Sequence, residues 1–158
     1  MQPRIDFTQE FANAAMQTLL GLERYVRRSG LEHALIELIK VRVSQINHCA
    51  YCIDMHTKDA RAAGESEQRL YALNAWRETP FFSDRERAAL EWAESLTLIS
   101  ENNVPDELYR KVREQFSEED LVKLTLAVIA INAWNRVAIP FRSVPGTYQP
   151  QSQHATVS

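Results

Sequence analysis

From Leu121 to Trp134 the chain is apolar nearly all round, broken only by Lys123, Thr125 and Asn132. A helix on a protein surface needs one apolar stripe, so a helix with this pattern is either central in the fold or buried on two sides. In a small helical domain the second side is often a partner subunit. The rest of the chain offers no sustained period-2 alternation, and its apolar residues recur at spacings of three and four. The expectation is an all-α fold with a helix-bundle core, assembling as a homo-oligomer.

Helix boundaries can be read at several points. Phe11, Ala15, Leu19, Leu22 and Val26 predict a first helix over about Thr8 to Ser29, with Gly30 suited to its end. Leu31, Leu35, Leu38, Ile39, Val43 and Ile46 predict a second. Glu37 lies off that second face, near His33 and Lys40, and reads from the pattern alone as an exposed acid with a local partner. Asn47 suits the N-cap of a third helix ending at Gly64. A short helix over about Glu67 to Arg77 stops at Pro80. Ser83-Asp84-Arg85-Glu86 is a capping box opening a helix to about Ile99. Pro105 suits a helix N1 position. Ser117, with Glu118, Glu119 and Asp120, opens the last helix, which runs to about Ala138. Past Pro140 the residues turn to Pro, Gly, Gln and Ser. We therefore expect one domain over residues 1–142 and a loose C-terminal tail, or an arm laid on a neighbour, over 143–158.

With 158 residues the chain has room for one domain with a real core. Apolar residues make up 45% and charged residues 25%, as in ordinary globular proteins. A formal net charge of -3 argues against a dedicated nucleic-acid binder. Met1-Gln-Pro-Arg-Ile-Asp has no apolar stretch of the signal-peptide kind. The longest strictly apolar run, Leu126 to Ile131, is too short to cross a bilayer. A soluble cytoplasmic protein without a membrane partner is the expectation.

Chemistry concentrates in Asn47-His48-Cys49-Ala50-Tyr51-Cys52-Ile53-Asp54-Met55-His56, which holds both cysteines. On a helix, Cys49, Cys52 and His56 stand at i, i+3 and i+7 and share a stripe. Cα atoms three apart on a helix lie roughly 5 to 6 Å from each other, within disulfide range. A free thiol has a pKa of about 8.5, so a redox cysteine needs activation. Two devices are present. A helix N-terminus capped by Asn47 favours a thiolate at Cys49, while His56, one turn after Cys52, can take the Cys52 proton. They favour different cysteines, and the spacing does not say which one attacks. Zinc is a competing reading, but C-x-x-C-x-x-x-H supplies three ligands where a structural site wants four, and His33, His48 and His154 form no second pair. A thioredoxin-like reading lacks its βαβ context. Two inert buried cysteines with a surface histidine are the remaining alternative.

Around these residues the chain resembles the AhpD (alkylhydroperoxidase D) core of the carboxymuconolactone decarboxylase-like family. Glu37 stands twelve residues before Cys49, in register with Cys52 and His56. "ELIKVRVSQINHCAYCIDMHTKDARAAGES", "FFSDRERAALEWAESLT" and "INAWNR" are similar to the family as well. The resemblance implies a thiol-dependent peroxidase and dithiol–disulfide oxidoreductase of antioxidant defence, using no haem, flavin or metal. It implies Cys52 as the peroxidatic cysteine and Cys49 as the resolving, outer thiol that meets the electron donor. His56 and Glu37 become a proton relay, which replaces the reading of Glu37 as an exposed acid. The implied partners are a hydroperoxide, a dithiol or lipoyl-type donor, and further copies of the chain in a trimer or hexamer. Tyr51 stands where the best-studied alkylhydroperoxidase D proteins carry a histidine. The decarboxylase branch lacks the cysteine pair, so lactone decarboxylation is not expected. A redox-sensing or scaffold protein with little turnover would need the same thiols and is the alternative.

Two outcomes follow at this level. The purified protein should hold no stoichiometric zinc; one zinc per chain by elemental analysis, with unfolding by chelator, would contradict this. Circular dichroism and light scattering should find a helical oligomer, and a sheet-rich monomer would end the reading.

Overall fold

The computed structural model describes residues 2–150. Eight α-helices and one 3-10 helix account for the regular structure, and no strand occurs among the described residues. The order is α1 (Glu10–Arg27), α2 (His33–Ile46), α3 (Ala50–Ala62), α4 (Glu67–Ala72), the 3-10 helix Leu73–Glu78, α5 (Asp84–Thr97), α6 (Ile99–Asn102), α7 (Asp106–Arg113) and α8 (Glu118–Phe141). The expected all-α class therefore stands, with helix ends shifted by a few residues.

Local signals fix most of these ends. Ser83 and Glu86 make the full capping box at the start of α5. Ser117 accepts from the Asp120 amide at the start of α8. Gly64 has φ +98° and closes α3, with its N–H on the Arg61 carbonyl and the Glu65 N–H on that of Ala60. Pro105 sits one residue earlier than expected, as the N-cap of α7.

The helix buried all round is α2, not α8. Every residue from Leu35 to Val41 is buried, and α2 packs against α3, α5 and α8. Ile39 and Val43 join the larger apolar cluster with Leu124 and Ile131, while Leu38 and Val41 join a second with Leu73 and Trp76. Two opposed apolar contacts leave Glu37 and Lys40 facing a third interior direction, toward α1 and α3. A periodic reading sees two charges on one side of a helix and assigns that side to water.

By length and composition α8 could span a membrane. In this fold its face of Leu124, Ala127, Val128 and Ile131 belongs to the core. Its outer face keeps Val122 and Ile129 exposed at 59% and 48%.

Both ends of the described residues are tied down. The Arg4 backbone N–H donates to the Phe141 carbonyl at 2.9 Å, and the Phe7 ring meets Phe141 edge-on at 5.7 Å. The expectation of a loose tail fails for residues 143–150. Gly146 N–H donates to Asp54 at 2.9 Å, Lys58 Nζ to the Tyr148 carbonyl at 3.1 Å, and the Tyr148 hydroxyl to Asp59 at 2.7 Å, so this segment lies along α3. Backbone and side-chain hydrogen bonds hold it despite its proline and glycine content. The rest of the expected tail, 151–158, lies outside the described residues.

Glu94 of α5 ties three elements together, accepting from Trp76 Nε1 at 2.8 Å and Arg42 Nε at 2.7 Å and pairing with Arg77. Burial alone would raise its pKa, but these three donors outweigh that and hold it below the ordinary 4.5. A carboxyl lowered on folding contributes stability above its unfolded pKa and loses it as pH falls through the folded one. We expect Glu94→Gln to destabilise the protein by about 1 to 3 kcal/mol at neutral pH, with the difference shrinking near about pH 3. Urea denaturation at the two pH values checks this, and an equal loss at both would contradict it.

Candidate functional site

The turn between α2 and α3 sets the cysteines. His48 adopts the left-handed conformation, φ 57°. The Cys49 N–H reaches the Ser44 carbonyl at 2.9 Å and the His48 N–H that of Gln45 at 3.2 Å, a Schellman closure of α2. His48 thus occupies a position usually given to glycine, and its side chain is exposed.

This turn makes Cys49 itself the N-cap of α3, with its Sγ accepting from the Cys52 N–H at 3.4 Å. Asn47 does not cap α3, as the sequence suggested. It is the C-cap of α2, and its side-chain amide donates to Asn132 at 3.0 Å and Asn135 at 2.8 Å. Asn135 in turn donates to Ser44 at 3.2 Å. The two asparagines that interrupt the apolar pattern of α8 are therefore partnered and anchor the turn from behind. Cys49 and Cys52 form a disulfide with Cα atoms 5.3 Å apart, as their spacing permits.

One turn further along α3, His56 is 3% exposed, and so is Glu37 on α2. His56 Nδ1 lies 2.9 Å from Glu37 Oε2. With Glu37 ionised, Nδ1–H donates, and Nε2 is left with its lone pair. Burial would push the Glu37 carboxyl up. The hydrogen bond from His56 and the charge of Lys40 outweigh it and hold the group below the ordinary carboxylate range. Glu37 is thus buried rather than exposed, while its expected local partners are in place, Lys40 at 3.5 Å and His33 at 4.0 Å.

A cavity of about 220 Å³ opens onto this arrangement. Cys52 and His56 line it, together with Tyr51, Met55, Trp134 and Phe7. Its walls are mostly apolar. Cys49 is not among them; it is 1% exposed and packed in the core, against 2% for Cys52. The expectation that Cys49 is the outer thiol fails for the disulfide form, because the N-cap position turns its sulfur toward the helix start. Tyr51 places a ring at the cavity.

Of the expected site residues, Cys52 and His56 share the cavity, Glu37 bonds His56, and Cys49 is joined to Cys52. Glu23 of α1, Asp59 of α3 and Tyr148 join them without a signal in the sequence, and Lys40 stands beside Glu37 as its spacing suggests, but buried. Glu37, His56 and Asp59 bring donor atoms within 4.8 Å of one another. Those atoms already have partners in Lys40, Tyr148 and each other. The group is a hydrogen-bonded acid–base cluster.

The chain matches the carboxymuconolactone decarboxylase family over residues 10–95. It is 50% identical over 139 residues to the uncharacterised protein YdfG of Bacillus subtilis, covering 88% of this chain and 94% of that one. Among solved structures it is similar to a protein of unknown function from Agrobacterium tumefaciens, described as a candidate AhpD of antioxidant defence. That similarity is 44% identity and a TM-score of 0.88, over 93% of this chain and 100% of the other. A peroxidase-related AhpD core protein from Ralstonia eutropha shares the fold at 20% identity and a TM-score of 0.78, over 92% and 77% of the two chains. With its cysteine pair and its Glu37–His56 contact in place, the chain belongs to the carboxymuconolactone decarboxylase family, among the members with an AhpD-like fold.

Proposed function

We propose that the protein is a thiol-dependent hydroperoxide reductase, with Cys52 as the attacking thiol and Cys49 as the resolving one. The observation that carries this is the cavity. It reaches Cys52 and His56 together, and His56 is oriented by Glu37 at 2.9 Å. In the reduced protein, His56 Nε2 takes the Cys52 proton. The thiolate attacks the distal oxygen of ROOH, the O–O bond breaks, and the imidazolium proton goes to the departing alkoxide. The products are Cys52 sulfenic acid and ROH. Cys49 sulfur then displaces hydroxide from Cys52, giving the disulfide and water. An external dithiol, of lipoyl type by the family resemblance, returns two electrons and two protons. No metal or organic cofactor enters these steps. The apolar walls suit a hydroperoxide with a hydrocarbon tail.

A reduced cytoplasm supplies the dithiol pool this cycle needs. The exposed apolar residues of α8, Val122 and Ile129, fit burial in a homo-trimer or hexamer. One observation favours the second reading, a redox sensor with slow turnover: both sulfurs are almost fully buried in the disulfide form, so a donor reaches them only after local opening.

Steady-state turnover of tert-butyl hydroperoxide with dihydrolipoamide separates the two readings. We expect sustained turnover that Cys52→Ser abolishes. Cys49→Ser should complete one reduction and accumulate sulfenic acid on Cys52. His56→Ala should slow the peroxide step by about 10² to 10⁴-fold. A single turnover with no dithiol-driven recycling in the wild type would favour the sensor, and full activity in Cys52→Ser would overturn both.

A further inference from the structure

Lys40 is 1% exposed, among the largest fully buried side chains of the fold. Burying an ammonium is costly unless it is paired. Its Nζ lies 2.5 Å from Glu23 Oε1 and 3.5 Å from Glu37 Oε1. The two oxygens of Glu37 are therefore divided, Oε1 toward Lys40 and Oε2 on His56 Nδ1. From this division we propose that Lys40 is a positioning residue of the site: it holds Glu37 as an acceptor and so fixes the tautomer of His56.

One proton decides the state of the Glu37–His56 pair. A buried carboxyl beside an imidazole has two arrangements. As a carboxylate it accepts Nδ1–H, and Nε2 is free to take a proton from Cys52. As a neutral acid it donates to Nδ1, and the imidazole proton then sits on Nε2, which can no longer act as a base. An ammonium at the other oxygen disfavours the neutral acid by direct charge.

The neighbouring charges leave Lys40 as the buried cation at Glu37. From α1, Glu23 competes for the ammonium, and Arg27 pairs with Glu23 at 3.1 Å. On α2, His33 stands 4.0 Å from Glu37 Oε1 but is largely exposed. On α3, Asp59 adds a negative group, bonded by the Tyr148 hydroxyl of the C-terminal segment. Glu23 thus tunes how much of Lys40 reaches Glu37. A purely structural role for Lys40, neutralising Glu23 inside the fold, makes no statement about the imidazole.

This inference rests on the relay roles of Glu37 and His56, and its test needs no peroxide. The first readout is the ¹⁵N NMR pattern of His56 in the reduced protein at neutral pH. The second is the pH profile of Cys52 alkylation by iodoacetamide in a Cys49→Ser background. Wild type should have the proton on Nδ1. Lys40→Met should lose that tautomer and move the acid limb of the profile to higher pH. Glu23→Gln should keep the tautomer and move the limb to lower pH, because Lys40 then serves Glu37 alone. Should Lys40→Met fail to fold, Glu23→Gln decides, since Glu23 lies at the edge of the cluster. An unchanged tautomer and an unmoved limb in Lys40→Met, or a limb that does not fall in Glu23→Gln, overturns the proposal.

Discussion

The hydrogen bond between Glu37 and His56 crosses from α2 to α3 between two side chains that are each only 3% exposed. Neither group belongs there alone. An unpaired buried carboxylate or imidazolium is costly, and removing one partner of such a pair costs about 3 to 5 kcal/mol. The surrounding structure compensates with Lys40, itself neutralised by Glu23, which Arg27 connects to the surface. A chain of alternating charges on α1, α2 and α3 therefore replaces what would otherwise be a third apolar contact of α2. That arrangement gives up packing and gains a fixed imidazole.

The cysteines depend on a different device. A tight closure of α2, with His48 in the left-handed region, starts α3 at once and makes Cys49 its cap. Cys52 then faces the cavity on the same stripe as His56. An amide network from Asn47, Asn132 and Asn135 holds the turn to α8. The terminal segments complete the surroundings, Phe7 as a wall of the cavity and residues 143–150 along the outer side of α3. Helix starts, a helix end and two short arms meet within one small volume, so the site combines contributions from distant parts of the chain.

Much of this was legible before any coordinates. Periodicity gave the helices, and Ser83, Gly64 and Ser117 marked boundaries by a mechanism that operates locally. Cys49, Cys52 and His56 were legible through their spacing, and Glu37 only through the family resemblance. What the sequence did not show depends on contacts between residues distant along the chain. Glu37 and Lys40 look like an exposed i, i+3 pair, and only the packing of α2 on opposed sides turns them inward. Asn47 looks like a helix cap, but its amide is drawn to Asn132 and Asn135, far away in sequence. The tail looks loose, because the acceptors and donors that fix it lie on α3. The apolar pattern of α8 calls for burial on two sides, and within one copy of the chain only one of them is covered, Val122 and Ile129 facing outward.

The central claim is that Cys52 is oxidised by a hydroperoxide and Cys49 resolves it. The most direct measurement mixes fully reduced protein with substoichiometric tert-butyl hydroperoxide and follows peroxide loss and free thiols together. Two thiols should be lost per peroxide consumed, in step, with the Cys49–Cys52 disulfide as the product by mass spectrometry. Peroxide loss without disulfide formation, or disulfide formation only by slow air oxidation at an unchanged peroxide level, would contradict it.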